Sequence, residues 1–414
     1  MKKRHHTDDP VLLPLYILYM LNLPLPNSVV DKMATNNMSV EERLALVTRN
    51  AMEVITEDEL RNILETKDEP LAYIGFEPSG IVHMGWALVT SKIKDLCDAG
   101  FKVIILWADW HAAINDKVGG DLENIRAVAR YMEDCFVALG VPRDKVEFRY
   151  AQDVVNDLTY WEDILKVGKV TSLSRIKRTM TIMGRKEDEA DLDSSKIIYP
   201  LMQCVDMFHL GVDLAYAGID QRRVHMLARE VADRFGWKKP VALHTPLLPG
   251  LKGGARMNGD GAKDVSVKDV AKSMDDQSAA MIDMKMSKSD PTSSINIHDT
   301  PDSVKQKIKK AYCPPEKENE GTNPILMMAK YIIFPRLGRI DIERPEKYGG
   351  NVFYENYEAL TDAYFSGSLS PVDLKAGIVD GINKVLAPVG EYFSAHPENY
   401  EKVQEILKSL GKLR

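Results

Sequence analysis

Apolar positions recur along this chain with two periods, and the alternation between them lays out the elements. From Ser39 to about Leu64 the spacing is helical, carried by "SVEERLALVTRN" and "TEDELRNILE". The second run opens with Thr56 and, three residues on, Glu59, a pair that caps a helix start reciprocally. Two helices are therefore expected before the first strand. Short apolar runs then read as strands: "LAYIGF" (71–76), "KVIILWA" (102–108), "KVEFRY" (145–150), "DLAYAG" (213–218) and "PVALH" (240–244). Amphipathic stretches of about 20 residues or more separate them, long enough for crossovers between parallel strands with helices on both faces. The expected fold class is α/β, a doubly wound, Rossmann-like parallel sheet whose ligands bind at the carboxyl ends of its strands.

After about Leu248 the texture changes. "PGLKGGARMNGDGAKDVSVKDVAKSMDDQSAAMID" is rich in Gly, Asp and Lys with weak periodicity, and reads as a long, partly mobile surface loop leading into "MKMSKSDP". From Asp302 helical spacing returns in "SVKQKIKKAYC", "NPILMMAKYIIF", "YEALTDAYF", "VDLKAGIVDGINKVLAPVGEYF" and "YEKVQEILKSL". The expected division is an α/β domain over 33–250, a long loop over 251–300 and an α-helical domain over 301–414. Residues 1–32 combine a basic start with an apolar run, but Asp8, Asp9 and four prolines interrupt it. That stretch is too short and Pro-rich for a membrane span, and it is expected to be a poorly ordered extension or a misassigned start ahead of Met33.

Composition narrows the class. The 54 basic and 61 acidic side chains give −7, so net charge advertises no nucleic acid, although a local basic face would suffice to bind one. Cys97, Cys135, Cys204 and Cys313 form no CxxC pair, which argues against a zinc knuckle or a disulfide framework and fits a reducing cytoplasm.

Three clusters carry candidate chemistry. In "KIIYPLMQCVDMFHLGVD", Tyr199, Gln203 and Asp206 stand at i, i+4 and i+7, on one face of an otherwise apolar helix. Such groups are costly to bury, so they either bond neighbouring elements or line a ligand cavity. In "AGIDQRRVHMLARE", Gln221, Arg222 and Arg223 follow a strand directly, at the end where this kind of sheet binds ligands, though a solvated helix start has the same look. In "KMSKSD", Lys285 and Lys288 flank Met286 and Ser287, with Ser289 beyond, an ammonium and hydroxyl strip suited to a polyphosphate. Basic residues also gather in "RIKRTM", which holds Arg178. Upstream, "YIGFEPSGIVHMGW" runs from a strand through a Pro-Ser-Gly turn to His83, Gly85 and Trp86 at a helix start, a backbone shaped to approach a nucleotide.

Taken together, "YIGFEPSGIVHMGW", "YPLMQCVDMFHLGVD", "GIDQRRVHMLARE", "KMSKSD" and "RPEKYGGN" resemble the tyrosyl-tRNA synthetases of the archaeal and eukaryotic type, over about residues 40 to 390. The resemblance implies a class I enzyme that makes tyrosyl-adenylate from L-tyrosine and ATP, releases pyrophosphate, and transfers the tyrosyl group to the 3′ end of tRNA-Tyr. It matches Tyr73 and Asp206 to the pair that hydrogen-bonds the substrate phenol, Tyr199, Gln203 and Gln221 to the groups at its α-amino end, and His111 to a pocket-lining histidine. For ATP it matches the Ser79-Gly80 turn, His83, Gly85 and Trp86 on one side, and Lys285, Met286, Ser287, Lys288 and Ser289 on the other. Of these, His83, Gly85, Lys285 and Lys288 would serve catalysis, with Mg²⁺ assisting the departing pyrophosphate and no metal cage in the protein. For tRNA it matches Arg178, Arg222 and Arg223 near the acceptor end, and Tyr348 and Asp373 in an anticodon-binding domain. It further implies a cytoplasmic homodimer, without membrane attachment, paired through a helical insertion near residues 130–190.

The chain departs from the family pattern in three places. Trp86 stands where a second histidine is usual, Ser370 where archaeal relatives often carry a histidine, and the stretch Lys252 to Asp283 lengthens the link to the lysine loop. Two rival readings remain at this point: a tryptophanyl enzyme of the same fold, and an inactive synthetase-like RNA-binding protein. The Tyr73 and Asp206 pair argues against the first, and the intact lysine strip against the second.

Overall fold

The computed structural model describes residues 38–184, 193–253, 281–282, 284–286 and 291–413. The expected extension over 1–32, most of the glycine-rich link, and Ser287, Lys288 and Ser289 lie outside these residues.

Six strands form the main sheet in the order β1-β6-β5-β2-β3-β4. They are β1 (Glu53–Ile55), β2 (Leu71–Phe76), β3 (Lys102–Trp107), β4 (Val146–Tyr150), β5 (Leu214–Gly218) and β6 (Val241–Thr245). The five expected strands are all present and mutually parallel. One expectation needs correction: the two opening helices, Val40–Thr48 and Glu57–Thr66, do not both precede the first strand, because β1 lies between them. It pairs antiparallel with β6 as an edge strand. Three residues are too few to reveal a period, and an edge strand needs only one neighbour. Ser39 and Thr56 cap the two helices through complete capping boxes, as the Thr56 and Glu59 spacing requires.

The period of two along the central strands sorts side chains between the faces. Val103, Ile105 and Trp107 of β3 enter the core on one face, with Ala72, Ile74 and Phe76 of β2. Ile104 and Leu106 enter the core on the other, where Tyr73 stands among residues of the helices Leu158–Val170, Ser195–His209 and Arg222–Phe235. The chain runs from β2 to β3 and β4 on one side, whereas β5 pairs with β2 on the other. That reversal opens a crevice at the carboxyl ends of β2 and β5, the ligand position in a doubly wound sheet. The range 130–190 expected for the helical insertion contains the end of Leu122–Ala138 and β4, and helices from Ala151 onward occupy described parts of the connection from β4 to β5.

The expected C-terminal helices are found at Pro301–Lys310, Pro324–Met328, Tyr357–Phe365, Pro371–Ala395 and Glu398–Ser409. "NPILMMAKYIIF" is not one uniform helix, since a π-type turn over Ala329–Ile333 joins Pro324–Met328 to Phe334–Leu337. A small antiparallel hairpin of β7 (Ile340–Ile342) and β8 (Val352–Tyr354), not anticipated, packs beside Pro371–Ala395. Arg336 ties this region to the sheet domain, donating to Leu139 O at 2.8 Å, Ala87 O at 2.9 Å and Thr90 Oγ1 at 2.6 Å. Asp134 adds a second tie by accepting from Tyr392 Oη at 2.9 Å and Asn399 Nδ2 at 2.8 Å. Among the described residues no helix is long and apolar enough to cross a membrane.

Candidate active site

Asp206 lies on the buried face of Ser195–His209 and is 1% exposed. Its Oδ1 accepts from Tyr160 Oη at 2.8 Å. His111 Nε2 lies 3.2 Å from its Oδ2, but the ring N–H is not aimed along that line, so this is a charge contact rather than an aligned hydrogen bond. A carboxylate offers about four acceptor positions, so Asp206 keeps capacity for a further donor. Burial, and after it the Asp206 charge, pushes the hydroxyls of Tyr73 and Tyr160 well above the ordinary tyrosine pKa, which keeps both protonated. Burial works against a charged His111, but the neighbouring Asp206 outweighs it and holds the imidazole pKa above its usual value.

The other two residues of the triplet complete a polar wall. Tyr199 meets His111 edge to face, with ring centroids 5.1 Å apart. Burial chiefly, and then Glu77, raises the Tyr199 pKa well above its ordinary value. Glu77 itself accepts from Asn115 Nδ2 at 2.8 Å. Gln203 Nε2 donates to Gln221 Oε1 at 3.1 Å, and Gln221 Nε2 donates to Ile182 O at 3.0 Å. The carbonyl oxygen of Gln203 is buried without a hydrogen-bond partner. A buried orphan acceptor beside a second amide is an arrangement that a ligand's ammonium group would satisfy. The structure thus brings Tyr73, His111, Tyr199, Gln203, Asp206 and Gln221 to one end of the sheet.

The nucleotide motifs also meet. Ser79 and Gly80 lie in the turn after β2, and Gly80 adopts φ +127°. His83 folds onto the helix start: Gly85 N donates to its Nδ1 at 3.1 Å, and a Cβ on Gly85 would lie 2.8 Å from the imidazole. A larger residue there would push the His83 ring from this position. The N-cap residue Met84 makes no side-chain cap to Gly85–Asp98, so the His83 imidazole is the side chain that meets the first amides of this helix. His83 forms an antiparallel bridge with Asn296, and Pro249 forms one with Lys285. The segments on either side of the lysine strip are therefore stitched to the turn and to the end of β6. Lys285 Nζ contacts Asp220 Oδ2 at 3.2 Å, and Met286 is buried. Trp86 is half-buried against Phe76 and Phe136, at ring distances of 4.9 and 5.9 Å, so its ring serves the aromatic core beneath the turn.

The basic and C-terminal candidates are placed differently. Arg222 turns inward and grips Glu53 with its guanidinium fork, at 2.8 to 3.1 Å. Glu53 also meets His244 Nδ1 at 3.0 Å, and His244 Nε2 meets His225 Nδ1 at 3.0 Å. Arg178 is exposed, and its carbonyl accepts from Arg223 Nη1 at 2.7 Å. In the C-terminal region Tyr348 is 61% exposed with Lys347 over its ring. Ser370 caps Pro371–Ala395 and donates to Asp373 Oδ2 at 2.9 Å, which accounts for a serine at that position.

Tyr160, Glu77, Asp220 and Glu53 escaped sequence reading. Tyr160 is indistinguishable from a core aromatic in "LTYWEDIL", whereas Glu77 carried a signal as an acid directly after a strand. A surface cavity of about 360 Å³, lined by residues including Asp163, Phe208, Trp237 and Lys238, opens near the amino ends of β5 and β6. That is the wrong end of a doubly wound sheet for the principal site.

The model for class I tRNA synthetases (W and Y) matches residues 65–276 and 279–387. The chain belongs to that family. It is 46% identical to the tyrosine–tRNA ligase of Saccharolobus islandicus over 375 residues, 91% of this chain and 100% of that relative. Among solved structures, the tyrosyl-tRNA synthetase of Pyrococcus horikoshii complexed with L-tyrosine has a TM-score of 0.78 at 38% identity, covering 89% of this chain and 100% of that one. The Archaeoglobus fulgidus tyrosyl-tRNA synthetase, also complexed with L-tyrosine, has a TM-score of 0.72 at 40% identity, covering 86% and 99%.

The Glu53 network makes a prediction that is independent of substrate. Burial opposes the Glu53 charge, but the hydrogen bonds from His244 and Arg222 outweigh it and hold the pKa at about 2, against about 4.5 unfolded. A depressed carboxyl pKa contributes stability that is full above about pH 4.5 and is lost as pH falls through about 2. Urea unfolding across this range is expected to show wild type more stable than Glu53→Gln at neutral pH, with the gap closing in acid. A gap that stays constant with pH would contradict the assignment.

Proposed function

We propose that this chain catalyses tyrosine–tRNA ligation: it activates L-tyrosine with ATP to tyrosyl-adenylate and pyrophosphate, then transfers the tyrosyl group to the 3′ end of tRNA-Tyr. The observation that carries this reading is Asp206, a buried carboxylate at the crevice with acceptor capacity left over. A substrate phenol supplies the missing donor, with Tyr73 beside it. Gln203, Gln221 and Tyr199 receive the α-ammonium group, and His111 supports Asp206 from the side. A tryptophan side chain brings an indole N–H but no hydroxyl that could both donate to Asp206 and accept from Tyr73.

Adenylation is an in-line attack by the tyrosine carboxylate on the α-phosphorus, so the protein's part is positioning and charge stabilisation. His83, held at the helix start by the Gly85 amide, faces the phosphates, with Ser79 and Gly80 leaving room for the nucleotide. Lys285, freed from Asp220, and Lys288 neutralise the departing pyrophosphate, with Met286, Ser287 and Ser289 shaping the strip. Trp86 supports the turn from below. Mg²⁺ arriving with ATP would assist the departing pyrophosphate.

For tRNA, the exposed Arg178 and its neighbour Arg223 are read as contacts to the acceptor end, with Arg222 bracing them from within through Glu53. Tyr348 offers a face on which an anticodon base can stack, at roughly 1–3 kcal/mol. Asp373 beside the Ser370 hydroxyl offers an acceptor for a guanine edge. The four free cysteines suit a reducing compartment such as the cytoplasm.

Leu158, Trp161, Leu165, Leu173 and Ile198 are exposed at 73, 41, 74, 55 and 37% on neighbouring helices of the β4-to-β5 connection. An apolar stripe of this kind is read as the face where a second copy docks, giving a homodimer.

Three experiments test these readings. Asp206→Ala is expected to lose tyrosine-dependent ATP–pyrophosphate exchange by two orders of magnitude or more, on the scale of roughly 3 kcal/mol for an emptied charged partner. Asp373→Ala is expected to keep that exchange while tRNA charging falls at least about tenfold. Wild-type exchange by Asp206→Ala would sink the tyrosine assignment. In sedimentation, wild type should run as a dimer and Leu165→Arg as a monomer; a wild-type monomer at micromolar concentration would remove the dimer proposal.

A further inference from the structure

The turn that holds His83 is fixed by more than its own strand and helix. Val82 N donates to Tyr131 Oη at 3.4 Å, and Tyr131 Oη lies 2.8 Å from His298 Nε2. Tyr131 is completely buried on Leu122–Ala138. Burial lowers the His298 pKa to about 4, so near neutral pH its ring is uncharged and Nε2 can accept from the tyrosine hydroxyl. Proton donation then runs one way, from the Val82 amide to the Tyr131 hydroxyl to the imidazole.

His298 is attached to the turn along the backbone as well. Met84 N donates to Ile295 O at 2.7 Å and Ile297 N donates to Val82 O at 3.2 Å, just before His298 in the chain. On its other side His298 stacks on Tyr400, with ring centroids 3.7 Å apart and planes at 14°. Tyr400 belongs to Glu398–Ser409, the last helix, and Tyr131 lies 5.6 Å from the same ring. Leu407 of that helix reaches the turn directly, since a Cβ on Gly80 would lie 3.7 Å from its Cδ2. Thus the last helix, the segment after the lysine strip and the nucleotide turn all meet at three stacked or hydrogen-bonded rings.

We propose that Tyr131, His298 and Tyr400 form a strut through which the C-terminal helix holds the Val82–Gly85 turn in its nucleotide-binding shape, with Tyr131 and His298 as positioning residues for ATP. The inference rests on reading that turn as the ATP cradle. None of the three is assigned a contact with nucleotide or amino acid; their effect passes through the Val82 amide and the bridge at His83. The strut also joins the region proposed to read the anticodon to the adenylation site, by a path of packed rings rather than by a loop.

The test is binding of a non-hydrolysable ATP analogue to the full chain, followed by titration calorimetry. Tyr131→Phe deletes one hydroxyl and is expected to weaken binding about five- to twentyfold, the range for one or two lost hydrogen bonds. Tyr400→Leu is expected to do the same from the far end of the strut, and Tyr400→Phe, which keeps the ring, to restore most of the affinity. Tyrosine affinity should stay near wild type, which a general loss of structure would not allow. Analogue binding at wild-type strength by both Tyr131→Phe and Tyr400→Leu overturns the proposal. A chain that binds the analogue in this strut-dependent way but activates an amino acid other than tyrosine would overturn the substrate reading and leave the strut standing.

Discussion

A carboxylate on an apolar helix has to be satisfied, and the way Asp206 is satisfied organises this molecule. Leaving an ionised group uncompensated in a dry interior costs several kcal/mol. Here one oxygen receives the Tyr160 hydroxyl and the other faces His111. These partners come from separate parts of the chain, Tyr160 from Leu158–Val170 and His111 from Asp109–Ile114 after β3. The helical connection between β4 and β5 therefore does more than cross over: it delivers the donor that makes a buried Asp206 tolerable. The acceptor capacity left at that carboxylate and at the Gln203 carbonyl sets which donors a ligand there would have to bring.

The nucleotide side follows a different principle, that of backbone stitching. The turn after β2 and the lysine strip lie some two hundred positions apart, yet the bridge from His83 to Asn296 makes them neighbours. The link before the strip can then lengthen at modest entropic cost, because loop closure grows only slowly with length. The two ends of that link meet where Pro249 bridges Lys285, and beyond the strip Ile297 N donates to Val82 O. Glu53 and Arg222 add a third tie, fixing the start of Arg222–Phe235, and with it Gln221, to the edge of the sheet.

Much of this was legible before any coordinates. The five parallel strands could be read because each is a compact apolar run between long amphipathic stretches. The triplet Tyr199, Gln203 and Asp206 stood out because polar groups at helical spacing on an apolar face are costly. β1 was not legible, since three residues at an edge carry no period. Tyr160 was hidden for the opposite reason, as an aromatic where aromatics are ordinary. Arg222 could be located but not oriented: its sequence places it at a strand end, and only the position of Glu53 decides that it faces inward. The hairpin of β7 and β8 depends on packing against Pro371–Ala395 and left no separate mark.

If Asp206 reads a phenol, the ratio of kcat/KM for tyrosine to that for phenylalanine in ATP–pyrophosphate exchange by the wild-type chain reports it. The two substrates differ by one hydroxyl. A site whose buried polar groups go unpaired without it should discriminate by roughly 10⁵, the value known for enzymes of this class. A ratio of about 10² or less, the scale set by shape alone, would contradict the account.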